Sequence, residues 1–283
     1  MSEPVLTDET TGTYTFGGDR TVRRLGFGAM RLTGPGIWGP PSDREAAKAV
    51  LRRAVELGVN LIDTADSFGP GVSEELIAEA LRPYPDDLVI AAKGGLERTG
   101  PSEWSRNGRP EHLTAACEGS LRRLRLDVID VYHLHAPDPE VPLEESVGAL
   151  SELRDAGKIR HIGVSNVSLE QLRTAQKLVP VVSVQNRYNI GDRTFDELLD
   201  VCAEEGIGFI AWFPLGGGDM PYPPALDIGF QRGATREQVL LAWLLHRADV
   251  VLPIPGTSSI AHLEENVAAA HLRLSDEDID ALT

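Results

Sequence analysis

The amino-acid sequence predicts an α/β protein, a (β/α)8 barrel. Short apolar segments rich in Val and Ile alternate eight times with amphipathic helical patterns, in the order of this fold. Most of these segments are continuous apolar runs, as expected for strands covered on both faces. A doubly wound parallel sheet is the alternative, because alternation alone does not establish closure. No linker or low-complexity segment interrupts the pattern, which favours one domain over residues 1–283.

The predicted elements follow one another along the whole chain. Strands are expected at residues 24–30, 60–64, 88–93, 128–134, 161–165, 181–185, 208–212 and 250–254. Helices are expected at 42–58, 73–82, 110–125, 143–156, 168–178, 194–206, 235–247 and 259–270. Three helices are predicted to begin with a capping box, formed by Ser168 with Gln171, Thr194 with Glu197, and Thr235 with Gln238.

A β-hairpin is predicted before the first barrel strand. Residues 13–27 contain two stretches of alternating apolar and polar residues, separated by Gly17, Gly18 and Asp19. In a barrel, such a hairpin can close the N-terminal mouth, which leaves the other end open for a site.

Composition and charge exclude several classes of function. A net charge of −16 argues against binding to nucleic acids and to anionic membranes, and no apolar run approaches membrane-span length. Cys117 and Cys202 lie far apart without metal-ligand spacing, so no metal site is predicted and a reduced, cytoplasmic setting is expected. Residues 1–12 lack the features of a signal peptide. We expect a monomer or a weak homo-oligomer.

Three consecutive predicted strands end on chemically reactive side chains. Barrel enzymes carry their chemistry at the C-terminal ends of the strands, where Asp63, Lys93 and His135 are expected. Asp63 alone is equally a turn former, and either His133 or His135 can be a core histidine. Lysine is almost never buried without a partner, and Asp63 on the adjacent strand would pair with Lys93. A cation and an imidazole in one pocket suit a reaction in which negative charge develops on an oxygen, such as carbonyl reduction.

Seven segments together resemble the aldo-keto reductase superfamily. They are NLIDTADSFG, AAKGG, YHLHAP, IGVSN, VQNRYNI, AWFPLGGG and IPGTSSIAHLEENVAAA, and they extend over nearly the whole chain. The segments GAMRLTGPGIWGPP and IPGTSS resemble a bacterial, pyridoxal reductase-like subgroup. The resemblance implies a TIM barrel that binds NADP(H) and reduces a small-molecule carbonyl with an Asp–Tyr–Lys–His tetrad. Asp63, Lys93 and His135 match three of these residues, and Phe68 stands in the place of the tyrosine.

Phe68 replaces the tetrad tyrosine, which in the family normally protonates the carbonyl oxygen. Phenylalanine has the same ring as tyrosine but no proton to donate, and loss of one general acid costs about 100- to 10,000-fold in rate. Two explanations are open. In the first, a Tyr-to-Phe substitution has produced a catalytically impaired reductase. Otherwise Phe68 is native, and either His135 or a water donates the proton or the protein is a non-catalytic NADP(H)-binding redox sensor.

The resemblance also implies the residues that bind the cofactor. The nicotinamide end matches Ser165, Asn166, Gln185 and Trp212. The pyrophosphate segment matches Leu215, Gly216, Gly217 and Gly218. The adenosine end matches Gly256, Thr257, Ser258, Ser259, His262, Glu265 and Asn266. Many family members carry Lys and Arg around the 2′-phosphate, whereas Gly256 and His262 occupy those places here. The preference for NADP(H) over NAD(H) therefore follows from the resemblance.

Two loops are expected to bind the substrate. Trp38 after strand 1 and Trp104 after strand 3 would form an aromatic wall for a flat polar aldehyde, or they pack only their own loops. A barrel glycosidase is disfavoured because it needs two carboxylates across a pocket and only Asp63 ends a predicted strand. The sequence also lacks the Gly-x-Gly-x-x-Gly fingerprint of a Rossmann fold in its required context.

Overall fold

The computed structural model describes residues 4–217 and 222–283. Gly218 lies outside these residues. The strands are β1 (Thr13–Phe16), β2 (Arg20–Arg23), β3 (Phe27–Gly28), β4 (Leu61–Asp63), β5 (Val89–Gly94), β6 (Leu96–Glu97), β7 (Ser105–Arg106), β8 (Ile129–Leu134), β9 (Ile159–Ser165), β10 (Val181–Arg187), β11 (Gly208–Trp212) and β12 (Val251–Pro253). The α-helices are α1 (Asp8–Thr11), α2 (Arg44–Glu56), α3 (Val72–Leu81), α4 (Pro110–Leu124), α5 (Leu143–Asp155), α6 (Leu169–Gln176), α7 (Asp196–Glu205), α8 (Pro223–Arg232), α9 (Arg236–Arg247), α10 (Ile260–Ala268) and α11 (Asp276–Leu282).

Eight parallel strands form a barrel within the described residues. They pair in the order β3, β4, β5, β8, β9, β10, β11 and β12. Two backbone hydrogen bonds join the ends of this sheet, from Gly26 N to Pro253 O at 3.0 Å and from Gly28 N to Pro255 O at 3.2 Å. The predicted (β/α)8 barrel is therefore confirmed, and the doubly wound alternative is wrong because the sheet closes on itself.

The N-terminal hairpin closes one end of the barrel, as predicted. β1 and β2 pair antiparallel, and Phe16 and Val22 are fully buried among the side chains of the barrel interior. The Tyr14 hydroxyl lies 2.9 Å from both Val182 O and Gly206 O, which share its single proton. The hairpin leaves the opposite end of the barrel, where the strands have their C-termini, open for a functional site.

The main hydrophobic core lies between the strands and the surrounding helices. Tyr188, Phe209 and Trp243 are buried there in edge-to-face and stacked ring contacts. None of the described helices has the length and apolarity needed to cross a bilayer.

Two of the three predicted capping boxes form. Those of Ser168 with Gln171 and Thr235 with Gln238 are present. The prediction for Thr194 is wrong, because α7 has Phe195 at its N-cap position without a side-chain cap. The Thr194 hydroxyl instead donates to Asp192 Oδ1 at 2.8 Å, since a nearby carboxylate is a strong acceptor for a local turn.

Helix α8 was not predicted. It begins at Pro223, and a proline pair suggests a loop when read from sequence. Proline is nevertheless compatible with the first turn of a helix, where its missing N–H is not needed.

Candidate active site

The four side chains matched to the tetrad line one cleft at the C-terminal end of the barrel. Asp63 is the last residue of β4, Lys93 lies near the end of β5, and His135 directly follows β8. Phe68 lies in the turn between β4 and α3. The cleft has a volume of about 1170 Å³, and all four side chains contribute to its wall. The structure therefore brings these four side chains together in one cleft.

Lys93 is buried in an ion pair with Asp63. Its ammonium lies 2.8 and 2.7 Å from the two carboxylate oxygens and 2.8 Å from Thr64 O. Gln185 Nε2 donates to Asp63 Oδ1 at 2.8 Å and so helps to orient the carboxylate. Burial lowers the pKa of Lys93, and the Asp63 carboxylate opposes that shift. An ammonium has three donors, and three acceptors already surround this one, so Lys93 has no free proton for a ligand.

Phe68 brings an aromatic ring into this charged corner. The ring is 5% exposed, and Lys93 Nζ lies 5.1 Å from its centroid. The His135 ring packs edge-to-face against it at 5.9 Å, and the Trp104 ring at 6.4 Å. The wall beside the buried cation is therefore apolar, with no hydroxyl where the family pattern has a phenol.

The structure distinguishes the two histidines of β8 and its end. His133 is fully buried, with Nε2 2.9 Å from Ser183 Oγ, and burial lowers its pKa to about 3. His135 faces the cleft, and its Nδ1 lies 3.4 Å from Ser67 Oγ. Burial, and then the positive charge of Lys93, hold the pKa of His135 well below its usual range. His135 is therefore a neutral imidazole at neutral pH, with one N–H to donate.

The residues matched to the nicotinamide end form one hydrogen-bonded unit. Asn166 Nδ2 donates to His135 O at 2.9 Å and to Ser165 Oγ at 3.1 Å, while Trp212 Nε1 donates to Asn166 Oδ1 at 3.1 Å. Ser165 Oγ donates to Gln185 O at 2.6 Å. Asn166 has a φ of 56°, a left-handed conformation that these contacts hold in place. All four matched side chains line the cleft.

The far end of the cleft is built from glycine, hydroxyl groups and a cation. Gly256, Thr257 and Ser258 line it, and a Cβ at Gly256 would lie only 2.5 Å from Gly28 O. Such a Cβ would also lie 3.5 Å from Cγ of Arg31, whose exposed side chain lines the same end. Sequence reasoning missed Arg31, although its position directly after the first strand was a signal.

Other predicted cofactor residues lie at the edge of the cleft or behind it. Leu215 and Gly217 line the cleft. The residues that do not line it are Gly216, Ser259, His262, Glu265 and Asn266. Ser259 caps α10, with its hydroxyl accepting from His262 N at 3.4 Å. Glu265 accepts a hydrogen bond from Thr235 Oγ1 at 2.6 Å and so links α10 to α9.

The two tryptophans predicted for the substrate differ in position. Trp104 lines the cleft, is 39% exposed, and packs against Phe68 and His135. Trp38 does not line the cleft. Both rings approach the guanidinium of Arg98, at 3.7 Å for Trp104 and 5.8 Å for Trp38. Sequence reasoning missed Arg98, which lies in a loop.

The residues present fit a dinucleotide with a phosphate-rich end. The cleft runs from the Trp212 indole and the Asn166 amide to the glycine, hydroxyl and guanidinium groups beside Arg31. Gly256 packs directly against Gly28 O, and the backbone amides, hydroxyls and arginine at this end are the usual phosphate ligands. No cluster of three or more His, Cys, Asp or Glu residues that could hold a metal occurs in the described part of the chain.

The chain is similar to known proteins over most of its length. The family model described as "Aldo/keto reductase family" matches residues 24–223 and 221–283. Pyridoxine 4-dehydrogenase of Escherichia coli is 46% identical, over 96% of this chain and 97% of that protein. An uncharacterized oxidoreductase of Schizosaccharomyces pombe is 47% identical, over 92% of this chain and 85% of that protein. A crystal structure of an aldo-keto reductase from Klebsiella pneumoniae in complex with NADPH superposes with a TM-score of 0.81 at 30% identity, covering 95% of this chain and 93% of that one.

Proposed function

The chain belongs to the aldo/keto reductase family, and we propose that it catalyses NADPH-dependent reduction of an aldehyde or ketone to an alcohol, with a rate limited by Phe68. One observation carries this proposal. The buried Lys93–Asp63 pair and the neutral His135 meet at the end of the cleft that begins with Trp212 and Asn166.

NADP(H) is the cofactor that this cleft suits. The Asn166 amide and the Ser165 hydroxyl would bind the carboxamide group, and the flat Trp212 indole would position the nicotinamide ring. The Arg31 guanidinium and the hydroxyl of Thr257 would bind phosphate. When bound, NADPH supplies the hydride. Support also comes from the Klebsiella pneumoniae relative, whose structure holds NADPH.

The protein's own residues supply a fixed positive charge and exclude water from the reaction centre. Asp63 keeps Lys93 charged and fixed, so the ammonium needs no rearrangement when negative charge develops on the carbonyl oxygen. Phe68 and Trp104 exclude water from that corner, which strengthens the electrostatic effect of the cation. The cofactor groups lie on other strands, so Phe68 leaves cofactor binding intact.

Proton donation is the weak step in this chain. Phe68 has no proton, and the three N–H groups of Lys93 are already bonded to Asp63 and Thr64. His135 keeps one N–H of a neutral imidazole, a far weaker acid than an imidazolium. His135 or a water therefore protonates the product slowly, and the protein is a catalytically impaired form of a tetrad enzyme.

The same observation favours a second candidate, a non-catalytic NADP(H)-binding redox sensor. A site that keeps the cofactor groups and lacks its proton donor would bind the cofactor without turnover. The variant Phe68→Tyr distinguishes the two candidates, because a tyrosine at this position gives turnover only in a reductase.

We propose a flat aromatic aldehyde, with pyridoxal as the first candidate, as the substrate. The Escherichia coli relative is pyridoxine 4-dehydrogenase, and Trp104, Phe68 and Leu96 line the same cleft as Trp212. Aromatic faces and edges of this kind favour a planar ring.

We further propose a cytoplasmic protein of one domain that is a monomer or a weak homo-oligomer. The free thiols of Cys117 and Cys202 are both buried, which suits a reducing compartment. Cell fractionation and light scattering after size-exclusion chromatography test these points, and a stable tetramer or a secreted protein would contradict them.

The experiment for the main proposal is an NADPH titration followed by an aldehyde panel that includes pyridoxal. It is run on this chain and on Phe68→Tyr. Tight NADPH binding by both proteins, with clear turnover in the tyrosine form, is the expected result. Binding without turnover in either protein would support the redox sensor instead.

A further inference from the structure

The side chain of Arg98 lies at the meeting point of three loops on the open face of the barrel. Its Nη1 donates to Ile37 O at 2.9 Å and to Ser67 O at 3.1 Å. Its Nη2 donates to Gly36 O at 2.8 Å and to Gly100 O at 3.2 Å, and its Nε donates to Glu103 O at 2.7 Å. These carbonyls belong to three loops, one after β3, one after β4 and one between β6 and β7.

The number of hydrogen bonds equals the number of donors. A guanidinium has five N–H groups in a rigid plane, and Arg98 makes five hydrogen bonds to backbone carbonyls. No donor is left for a ligand, and Arg98 is not among the residues that line the cleft. Its role is therefore indirect. Lysine has three donors around a point charge and cannot reproduce this planar arrangement.

Arg98 also supports the aromatic wall. Its guanidinium lies 3.7 Å from the centroid of Trp104, the ring that packs against Phe68 and His135. The hydrogen bond to Ser67 O fixes the residue next to Phe68. One side chain thus holds both rings of the proposed substrate wall.

Two strained residues occur where these loops meet. Ile37 has a φ of 57° and Ser102 a φ of 60°, in the left-handed region that β-branched residues in particular avoid. Gly36 O accepts from both Ser102 N, at 2.9 Å, and Arg98 Nη2. Strained conformations persist only where their surroundings over-determine them, and Arg98 supplies much of that constraint.

We propose that Arg98 is the positioning residue that sets the shape of the substrate pocket by coupling these three loops. This inference rests on the proposed function, because it takes Trp104 and Phe68 as the wall that contacts the carbonyl substrate. Arg98 acts on substrate binding and leaves the cofactor end unaffected, since neither its hydrogen bonds nor its ring contacts involve a residue matched to the cofactor.

The test compares Arg98→Lys with Arg24→Lys, each made in the parent chain and in the Phe68→Tyr background. Arg24 is a matched control at the closed end of the barrel, where it also donates to backbone carbonyls, those of Thr11, Leu245 and Ala248. For Arg98→Lys, the aldehyde KM should rise about tenfold while kcat and the NADPH Kd change by less than about threefold. Arg24→Lys should lower only the stability.

A second readout does not depend on activity. The protein has four tryptophans, so fluorine NMR of 5-fluorotryptophan protein gives four signals that Trp→Phe variants assign. Arg98→Lys should shift the signals of Trp38 and Trp104, and Arg24→Lys should not. Unmoved signals, an unchanged KM, or an equal rise in the aldehyde KM and the NADPH Kd would each overturn the proposal. If neither background reduces any aldehyde, the proposed function fails, and the NMR signals still decide the role of Arg98.

Discussion

The substitution Phe68→Tyr adds one hydroxyl group to a ring that already faces the proposed reaction centre. The ring is 5% exposed, is packed against His135, and has a buried cation 5.1 Å from its centroid. A phenol has a reference pKa of about 10, and a nearby positive charge favours release of its proton. The new hydroxyl would therefore act as the missing general acid.

The magnitude follows from the contribution of one general acid. Such a group typically accelerates a reaction about 100- to 10,000-fold. This corresponds to about 2.7 to 5.5 kcal/mol of the activation barrier. His135 retains one N–H in the cleft and serves as a poor substitute in the parent chain, so we expect a gain nearer the lower value.

The assay is NADPH oxidation with a panel of aldehydes, together with a fluorescence titration of NADPH. Phe68→Tyr should raise kcat by at least about 100-fold and leave the NADPH Kd within about twofold. Phe230→Tyr is the matched control, because it adds the same hydroxyl to a ring that is 91% exposed on α8. Equal rates for the parent chain and Phe68→Tyr across the panel would refute the general-acid argument.

Three further predictions concern charge. Asp63→Asn leaves Lys93 buried without its counter-ion, so urea unfolding should show a loss of about 3 to 5 kcal/mol and turnover should disappear. Burial raises the pKa of Asp66 to about 8. The folded state therefore keeps a proton that the unfolded state releases near pH 4. The free energy of unfolding should accordingly fall as the pH rises from about 4 to about 8. Asp66→Asn should therefore gain stability over the parent by up to about 1.4 kcal/mol per pH unit between pH 5 and 7, and a constant difference would contradict this. Arg31→Ala should weaken NADPH binding about tenfold and reduce its salt dependence, whereas the surface control Arg109→Ala should change neither.

The strand ends were predictable because they obey a simple rule of the fold. In a closed parallel barrel the C-termini of consecutive strands are neighbours, so Asp63 and Lys93 had to meet once the strands were located. The residues alone left the choice between His133 and His135 open and the family resemblance selected His135, whereas the structure adds that His133 is fully buried against Ser183.

The loop residues were not predictable by the same reasoning. Arg98 acts through five backbone carbonyls of three loops, and no periodic pattern specifies where those carbonyls lie. Arg31 lies beside Gly256, in the loop after β12, only because the barrel closes there. Thr194 failed as a cap since Asp192 competes for its hydroxyl, which is a local preference that only the turn geometry reveals.

The most direct test of hydride transfer in this cleft follows a deuterium label. Two preparations of NADPH, each deuterated on a different face of the nicotinamide ring, are incubated separately with pyridoxal and either this chain or Phe68→Tyr, and the alcohol is examined by mass spectrometry. The proposed function predicts that the label moves to the carbinol carbon from one face only, quickly with the tyrosine form and slowly with the parent. Unlabelled alcohol from both NADPH preparations, or no alcohol from either protein with any aldehyde tested, would contradict it.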